Sequence, residues 1–544
     1  MLSSRAVFYP VSLALGLIYS VFAQPMPVCE QPLAYMLDTG VHPYLVDKDF
    51  SAQRGLVRQF YDLNQQQLAW FREQQLTPQA RSLLGKISNF SGQDPEQGIW
   101  GGSQGQNGSR CQLSLYDTAL TIGGLRHLQS LVAADQQPAS MLLALSQHPR
   151  ADQQLKDLEP DLPVYAHLQQ ALETYRQLAA DPALSVPLPV PVKSLEPGDP
   201  YPAADRLVYK LQRLGDLEIE AGHMLIDEQY ADELVPAVKR FQNRHGLNPD
   251  GLVGKKTFEA LNTPMQQRVH QIELSLLRWR ELPPNPGERM LVVNIPEYKL
   301  FAFERAQGNY RQAMEMKVIV GKSTRKHQPP VMSGEMTYIV FAPYWNIPYK
   351  ILRDELYPKI LSDPDYIVSN GYQIVREFSA KAEVLPASEE NLEKLLSGEL
   401  KLRQINGNKN ALGSAKFMFP NQHAVYLHGT PAMSLFERNK RDFSHGCVRL
   451  ADPAALAEYV LEQEQKQDWS QERIDELIDS GQRKVVGLST PLPVYLMYAT
   501  ASADAGGKVY FARDIYRLER QQQNLASSGT ITLPRLAPDP YPDG

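Results

Sequence analysis

Cysteine is scarce in this chain, with three in 544 residues, at positions 29, 111 and 447. The short paired spacings of a structural zinc site are therefore missing. Excess basic charge is missing as well. The 55 Lys and Arg stand against 61 Asp and Glu, a net charge of −6, so no nucleic-acid footprint is visible and no nucleic-acid partner is expected. Gly246 and Gly251 have phosphate-loop spacing, but Leu252 stands where the lysine is required, which excludes a nucleotide site of that type. After the N-terminal segment no apolar run is long enough to span a membrane. What is present is ordinary for globular domains: 43% hydrophobic and 21% charged residues. The chain is too long for one core, and domains of about 100–200 residues predict three or four of them.

The N-terminus "MLSSRAVFYPVSLALGLIYSVFAQ" carries Arg5, an apolar stretch and Val21-Phe22-Ala23. This is the layout of a signal peptide over 1–23, cleaved after Ala23, and it predicts export to an oxidising compartment. An uncleaved membrane anchor is the alternative. An odd cysteine in an exported protein suggests a free thiol. Cys29 and Cys111 can pair and leave Cys447 alone, or all three stay reduced as small core residues.

The chain predicts a multidomain α+β organisation. Residues 24–184 read as a helical scaffold, with Leu56, Phe60, Leu63 and Leu68, and then Leu168, Leu172 and Tyr175, at helical spacing. The proline-rich 185–202 reads as a linker. Residues 203–265 read as three helices, the first ended by Gly215 and the third capped by Thr257. From 266 to 520 the pattern turns to β-branched and aromatic strands bounded by Gly and Pro. A charged helical stretch at about 350–415 interrupts it as an insertion. Residues 521–544 read as a mobile tail.

Chemistry concentrates at "YLHGTPAMSLFERNKRDFSHGCVRL", residues 426–450. Strand alternation puts Val425 and Leu427 on one face and Tyr426 and His428 on the other. "SHGC" reads as a sharp turn. Gly446 permits backbone conformations that other residues resist, so the thiol and nearby N–H groups can be presented together. Arg449 shares a face with Cys447 and can favour a thiolate or hold a carboxylate. Three readings stay open on the residues alone. Cys447 is a buried structural cysteine, or a zinc ligand with His428 and His445 that lacks a fourth partner, or the nucleophile of a Cys–His pair.

Two stretches resemble known families. "VKRFQNRHGLNPDGLVGKKTFEAL" is similar to the three-helix peptidoglycan-binding domain. "HGT" followed by "SHGCVRL" resembles the signature of the L,D-transpeptidase (YkuD-type) catalytic domain, over about 290–500. The order of parts resembles the large Gram-negative members. The resemblance implies a helical scaffold, a peptidoglycan-binding domain and a mostly β catalytic domain whose insertion is a lid. It implies Cys447 as nucleophile and His428 as general base, with Ser444, Gly446 and Arg449 as supporting motif positions. Tyr426 and Trp345 would line the substrate groove, and His445 fills a variable position. No metal or cofactor is implied. The implied reaction is a 3→3 diaminopimelate crosslink made through a cysteine thioester, with D-Ala released from a tetrapeptide stem in the periplasm. Peptidoglycan stem peptides are the expected partners, with other cell-wall enzymes beside them, and carbapenems the expected inhibitors. The alternatives are a lipoprotein or water acceptor, or a non-catalytic wall-binding scaffold.

Overall fold

The computed structural model describes residues 27–519, except 44, 46–47, 73, 85–86, 88–109, 130, 132–136, 219–227, 284–285, 364 and 465–468. The expected signal peptide and the expected tail lie outside the described residues. Two compact units divide between Lys156 and Asp157.

The first unit is helical. Helix Arg54–Leu63 buries Val57, Phe60 and Tyr61. Leu63 is exposed rather than inward, because the helix stops there and Gln65 and Gln66 turn the chain with positive φ. Helix Arg110–Gln129 carries Asp117, which accepts hydrogen bonds from the Tyr61 hydroxyl at 2.7 Å and from the Ala69 and Trp70 N–H groups at 2.9 and 2.8 Å. These bonds tie two segments together and suggest no chemistry. Cys29 and Cys111 form a disulfide across 82 residues of sequence, and Cys447 is free. A bridge of that span restricts the unfolded chain by about 4 kcal/mol in the chain-entropy model. Reduction is therefore expected to lower the melting temperature of this unit by roughly 8 °C or more. Melts with and without reductant check this, and equal melting temperatures would count against it.

The second unit begins with a helix that the sequence pattern assigns to the scaffold. Pro163–Ala179 buries Leu168, Ala171, Tyr175 and Leu178 against helix Met265–Arg280 and one face of the main sheet. The boundary thus falls before this helix and not at 184. Residues 185–202 are also no free spacer. Leu188, Leu195 and Tyr201 lie in the core of the following helical region, and Leu195 pairs with Val253. Proline denies this stretch a helix but does not deny it burial. The three helices are Ala204–Arg213, Val235–Arg244 and Lys255–Leu261. Gly215 takes φ +74° after the first. Gly254, not Thr257, stands at the N-cap of the third; the buried Thr257 instead accepts a bond from Gln242 Nε2 at 3.2 Å.

The main sheet has nine strands: Arg289–Asn294 (β1), Lys299–Ala306 (β2), Asn309–Gly321 (β3), Met332–Phe341 (β4), Ala415–Met418 (β5), Leu427–His428 (β6), Asp442–Ser444 (β7), Val448–Leu450 (β8) and Lys484–Met497 (β9). Their spatial order is β7-β3-β8-β6-β5-β4-β9-β1-β2, and β2 also pairs with β3, so the sheet closes on itself. β1 is buried at all six residues. Leu291 and Val293 enter the interior core, while Met290 and Val292 enter the outer core beneath the two helices. A strand covered on both faces reads as a continuous apolar run.

The insertion is not purely helical. Its strands Trp345–Asn346, Tyr372–Val375, Val384–Leu385 and Lys401–Gln404 form a separate four-stranded sheet. Helices including Glu389–Ser397 pack on that sheet around Ile347, Leu352, Leu356, Leu395 and Leu402. This subdomain leaves the main sheet after β4 and returns at β5.

Candidate active site

Three short neighbouring strands build the site. β5 and β6 are antiparallel, with Lys416 opposite His428. β6 and β8 are parallel, with His428 opposite Arg449 and Leu427 opposite Val448. Phe417, Leu427 and Val448 point into the interior core. By alternation Lys416, His428 and Arg449 form one row on the other face. Tyr426 and Cys447 form the next row, each one residue before a paired position, and the Val448 N–H donates to the Tyr426 carbonyl at 3.1 Å. The expected split of Val425 and Leu427 from Tyr426 and His428 is what the structure has. Gly413 brings a loop against this edge, where an added Cβ would lie 2.6 Å from the Gly429 carbonyl carbon.

The turn before Cys447 is tied by Ser444. Its hydroxyl accepts from the Gly446 N–H at 3.1 Å and donates to the Cys447 carbonyl. Gly446 has φ +130°, a conformation that L side chains resist. Ser444 and Gly446 thus hold the thiol in place. His445 points away from the thiol: its Nε2 lies 2.7 Å from Glu355 Oε1 in the insertion, and its ring meets that of His327 at 4.9 Å. Cys447, His428 and His445 therefore do not converge as a ligand set. Trp345 stands in the insertion's sheet opposite Gln404, packed against that subdomain's own core.

His428 is buried. Burial, then the positive charges of Arg449 and Lys416, push its pKa down to about 3. Its Nδ1 lies 2.5 Å from the Gly429 carbonyl. A carbonyl only accepts, so Nδ1 carries the proton and Nε2 keeps its lone pair. The half-buried Cys447 thiol is pushed up by burial, an effect opposed by hydrogen bonds from Tyr426 and by the charges of Lys416 and Arg449. The pair therefore rests as neutral thiol and neutral imidazole. Arg449 Nε is buried without a hydrogen-bond partner. Lys416 Nζ sits 3.9 Å above the Tyr426 ring. Sequence reasoning missed Lys416, whose only local sign is a polar residue alternating with inward Ala415 and Phe417.

Residues 288–486 match the family model described as "L,D-transpeptidase catalytic domain". Residues 202–261 match the one described as "Putative peptidoglycan binding domain". A Haemophilus influenzae protein named "Putative L,D-transpeptidase" is 32% identical over 231 residues, which is 42% of this chain and 45% of that protein. The match thus spans less than half the length of that curated relative. Among solved structures, the L,D-transpeptidase (residues 123–326) from Xylanimonas cellulosilytica is 14% identical, covering 57% of this chain and 99% of that one, with a TM-score of 0.16. A fused Zn-dependent amidase/peptidase/peptidoglycan-binding-domain protein from Clostridium acetobutylicum is 12% identical, covering 56% and 99%, with a TM-score of 0.15. Scores that low bear no structural argument.

Proposed function

We propose that this chain, which carries an L,D-transpeptidase catalytic domain beside a peptidoglycan-binding domain, is an extracytoplasmic L,D-transpeptidase that forms 3→3 crosslinks in peptidoglycan. The observation that carries the reading is the row geometry. A free thiol, a neutral imidazole with its Nε2 lone pair available, and two basic side chains share one face of three adjacent strands.

In the proposed reaction His428 Nε2 takes the Cys447 proton as sulfur attacks the diaminopimelate carbonyl of a tetrapeptide stem. The Cys447 N–H is the oxyanion donor at this turn, since the Gly446 N–H is committed to Ser444. The C–N bond to D-Ala breaks, and His428 returns its proton to the departing amine. The thioester keeps the acyl group activated without ATP. The side-chain amine of a neighbouring diaminopimelate then attacks the thioester carbonyl and gives a proton to His428; the C–S bond breaks, and His428 passes that proton to the departing sulfur. Burial lowers the His428 pKa to about 3, so the imidazole stays unprotonated across mildly acidic pH. Incubation of the purified protein with tetrapeptide muropeptides, read by chromatography and mass spectrometry, tests the reading. Crosslinked dimers with loss of D-Ala are expected, and unchanged muropeptides would refute it.

Water competes with the amine for the thioester, so a cover over the site favours transfer. We assign that cover to the insertion, which touches the nucleophile's turn through Glu355 and His445. Glu355→Ala and His445→Ala are each expected to raise hydrolysed tripeptide severalfold relative to crosslinked dimer. An unchanged product ratio in both would count against a lid. Among the described residues no helix is long and apolar enough to cross a membrane.

A further inference from the structure

We propose that Lys416, acting across the Tyr426 ring, is the cation that stabilises the Cys447 thiolate. The proposal rests on Cys447 being the reacting atom, as above, and adds a positioning residue that the motif does not contain.

Three observations carry it. First, Lys416 is not a random surface lysine. It lies opposite His428 in register, in the row that continues to Arg449, on a half-buried strand. Second, its ammonium sits 3.9 Å over the face of Tyr426, the residue beside Cys447 across the parallel pair. A cation on a phenol ring draws electron density from it, which strengthens the O–H as a donor. Tyr426 acts on the sulfur to favour its charged form, while the resting thiol donates to the Ala424 carbonyl at 3.7 Å. Third, neither Lys416 nor Arg449 has a carboxylate partner among the described residues, and Arg449 Nε makes no hydrogen bond. Half-buried cations without counter-ions are costly. The group in these two rows that becomes an anion during the reaction is the thiol.

The groups that act on the sulfur are Tyr426 beside it, Lys416 from β5 and Arg449 from β8, and Arg483 adds repulsion on Lys416. Burial lowers both Lys416 and Arg449, and charge at Cys447 raises both. The three charges are thus coupled, and the thiolate is formed at less cost than burial alone would impose. Mutual dependence of this kind makes Lys416 useful only while sulfur is charged.

The test is the pH dependence of Cys447 alkylation, which needs no peptidoglycan. Cys29 and Cys111 are bridged, so Cys447 is the free thiol that reports. Lys416→Gln is expected to move the midpoint of the iodoacetamide rate profile up by about one pH unit, making alkylation about tenfold slower near neutrality. Lys416→Arg is expected to recover most of the loss. An unmoved midpoint in a folded Lys416→Gln protein overturns the proposal. If that variant does not fold, the native protein decides. Its preference for iodoacetate over iodoacetamide, normalised to glutathione, is expected to exceed one and to fall with salt, and a ratio of one at low salt overturns the proposal. A shifted midpoint in a protein that makes no crosslinks would remove the proposed function and leave this inference standing. Crosslinking with an unmoved midpoint would do the reverse.

Discussion

Cys447→Ala is expected to abolish both crosslinked product and acyl adduct, down to the detection limit of intact-mass spectrometry. The reason is chemical. The thioester needs a sulfur, and the other two cysteines are joined to each other in a different unit. Cys447→Ser is expected to fail as well. A hydroxyl is far less acidic than a thiol, so transfer of its proton to the His428 imidazole is far less favourable and serine is the much weaker nucleophile here. His428→Ala should fold, since the ring's hydrogen bonds go to the backbone of Gly429 and Leu412, yet lose on the order of 100-fold in rate. The experiment incubates each variant with tetrapeptide donor and, separately, with a carbapenem. An adduct on Cys447→Ala would overturn the mechanism. An adduct on wild type without any dimer would keep the acyl-enzyme and shift the reading toward hydrolysis or another acceptor.

The motif residues were legible because they are local. Val425 and Leu427 alternate with Tyr426 and His428 over four residues, and period two is enough to choose the face. Gly446 and Ser444 act within four residues of the thiol. The position of Lys416 was not legible, because its partner lies twelve residues away across a strand register that only the closed sheet defines. The glycine at 413 was missed for a similar reason, since its close approach is to Gly429. The insertion's sheet hid behind its length. Strands of two to four residues carry too few alternations to stand out from the charged helices between them. Proline in 185–202 explains a segment without helix that reads as a linker, and its packing was not legible because the core that Leu188 and Leu195 enter is built by residues further along the chain.

The same non-local logic governs a second large effect, in the joint between the three-helix region and the rest of its unit. Asp216→Ala is expected to destabilise this unit by about 3–5 kcal/mol, the cost of leaving one buried charge uncompensated. Asp216 is fully buried and Arg244 is 2% exposed. Arg244 Nε donates to both carboxylate oxygens at 2.8 and 3.0 Å, and Nη2 donates at 2.5 Å. Burial works against the Arg244 charge, but Tyr175 and Asp216 outweigh it and hold its pKa well above the ordinary value. Nη1 reaches Tyr175 at 3.3 Å and the Val509 carbonyl at 3.4 Å. One guanidinium therefore links the second helix of the three-helix region, the helix Pro163–Ala179 and the Val509–Phe511 strand. Without Asp216 it keeps the two weaker hydrogen bonds and its place over the Phe241 ring, 5.2 Å away. The double variant Asp216→Leu with Arg244→Met removes both charges and fills the space, so it should recover most of the loss. Urea unfolding of the two single variants and the double supplies the cycle. If the double variant is as unstable as the sum of the singles, the pair is not coupled and packing around Phe241 and Phe511 holds the joint instead. If it recovers, the ion pair fixes where the three helices sit on the rest of their unit without being the main source of their stability.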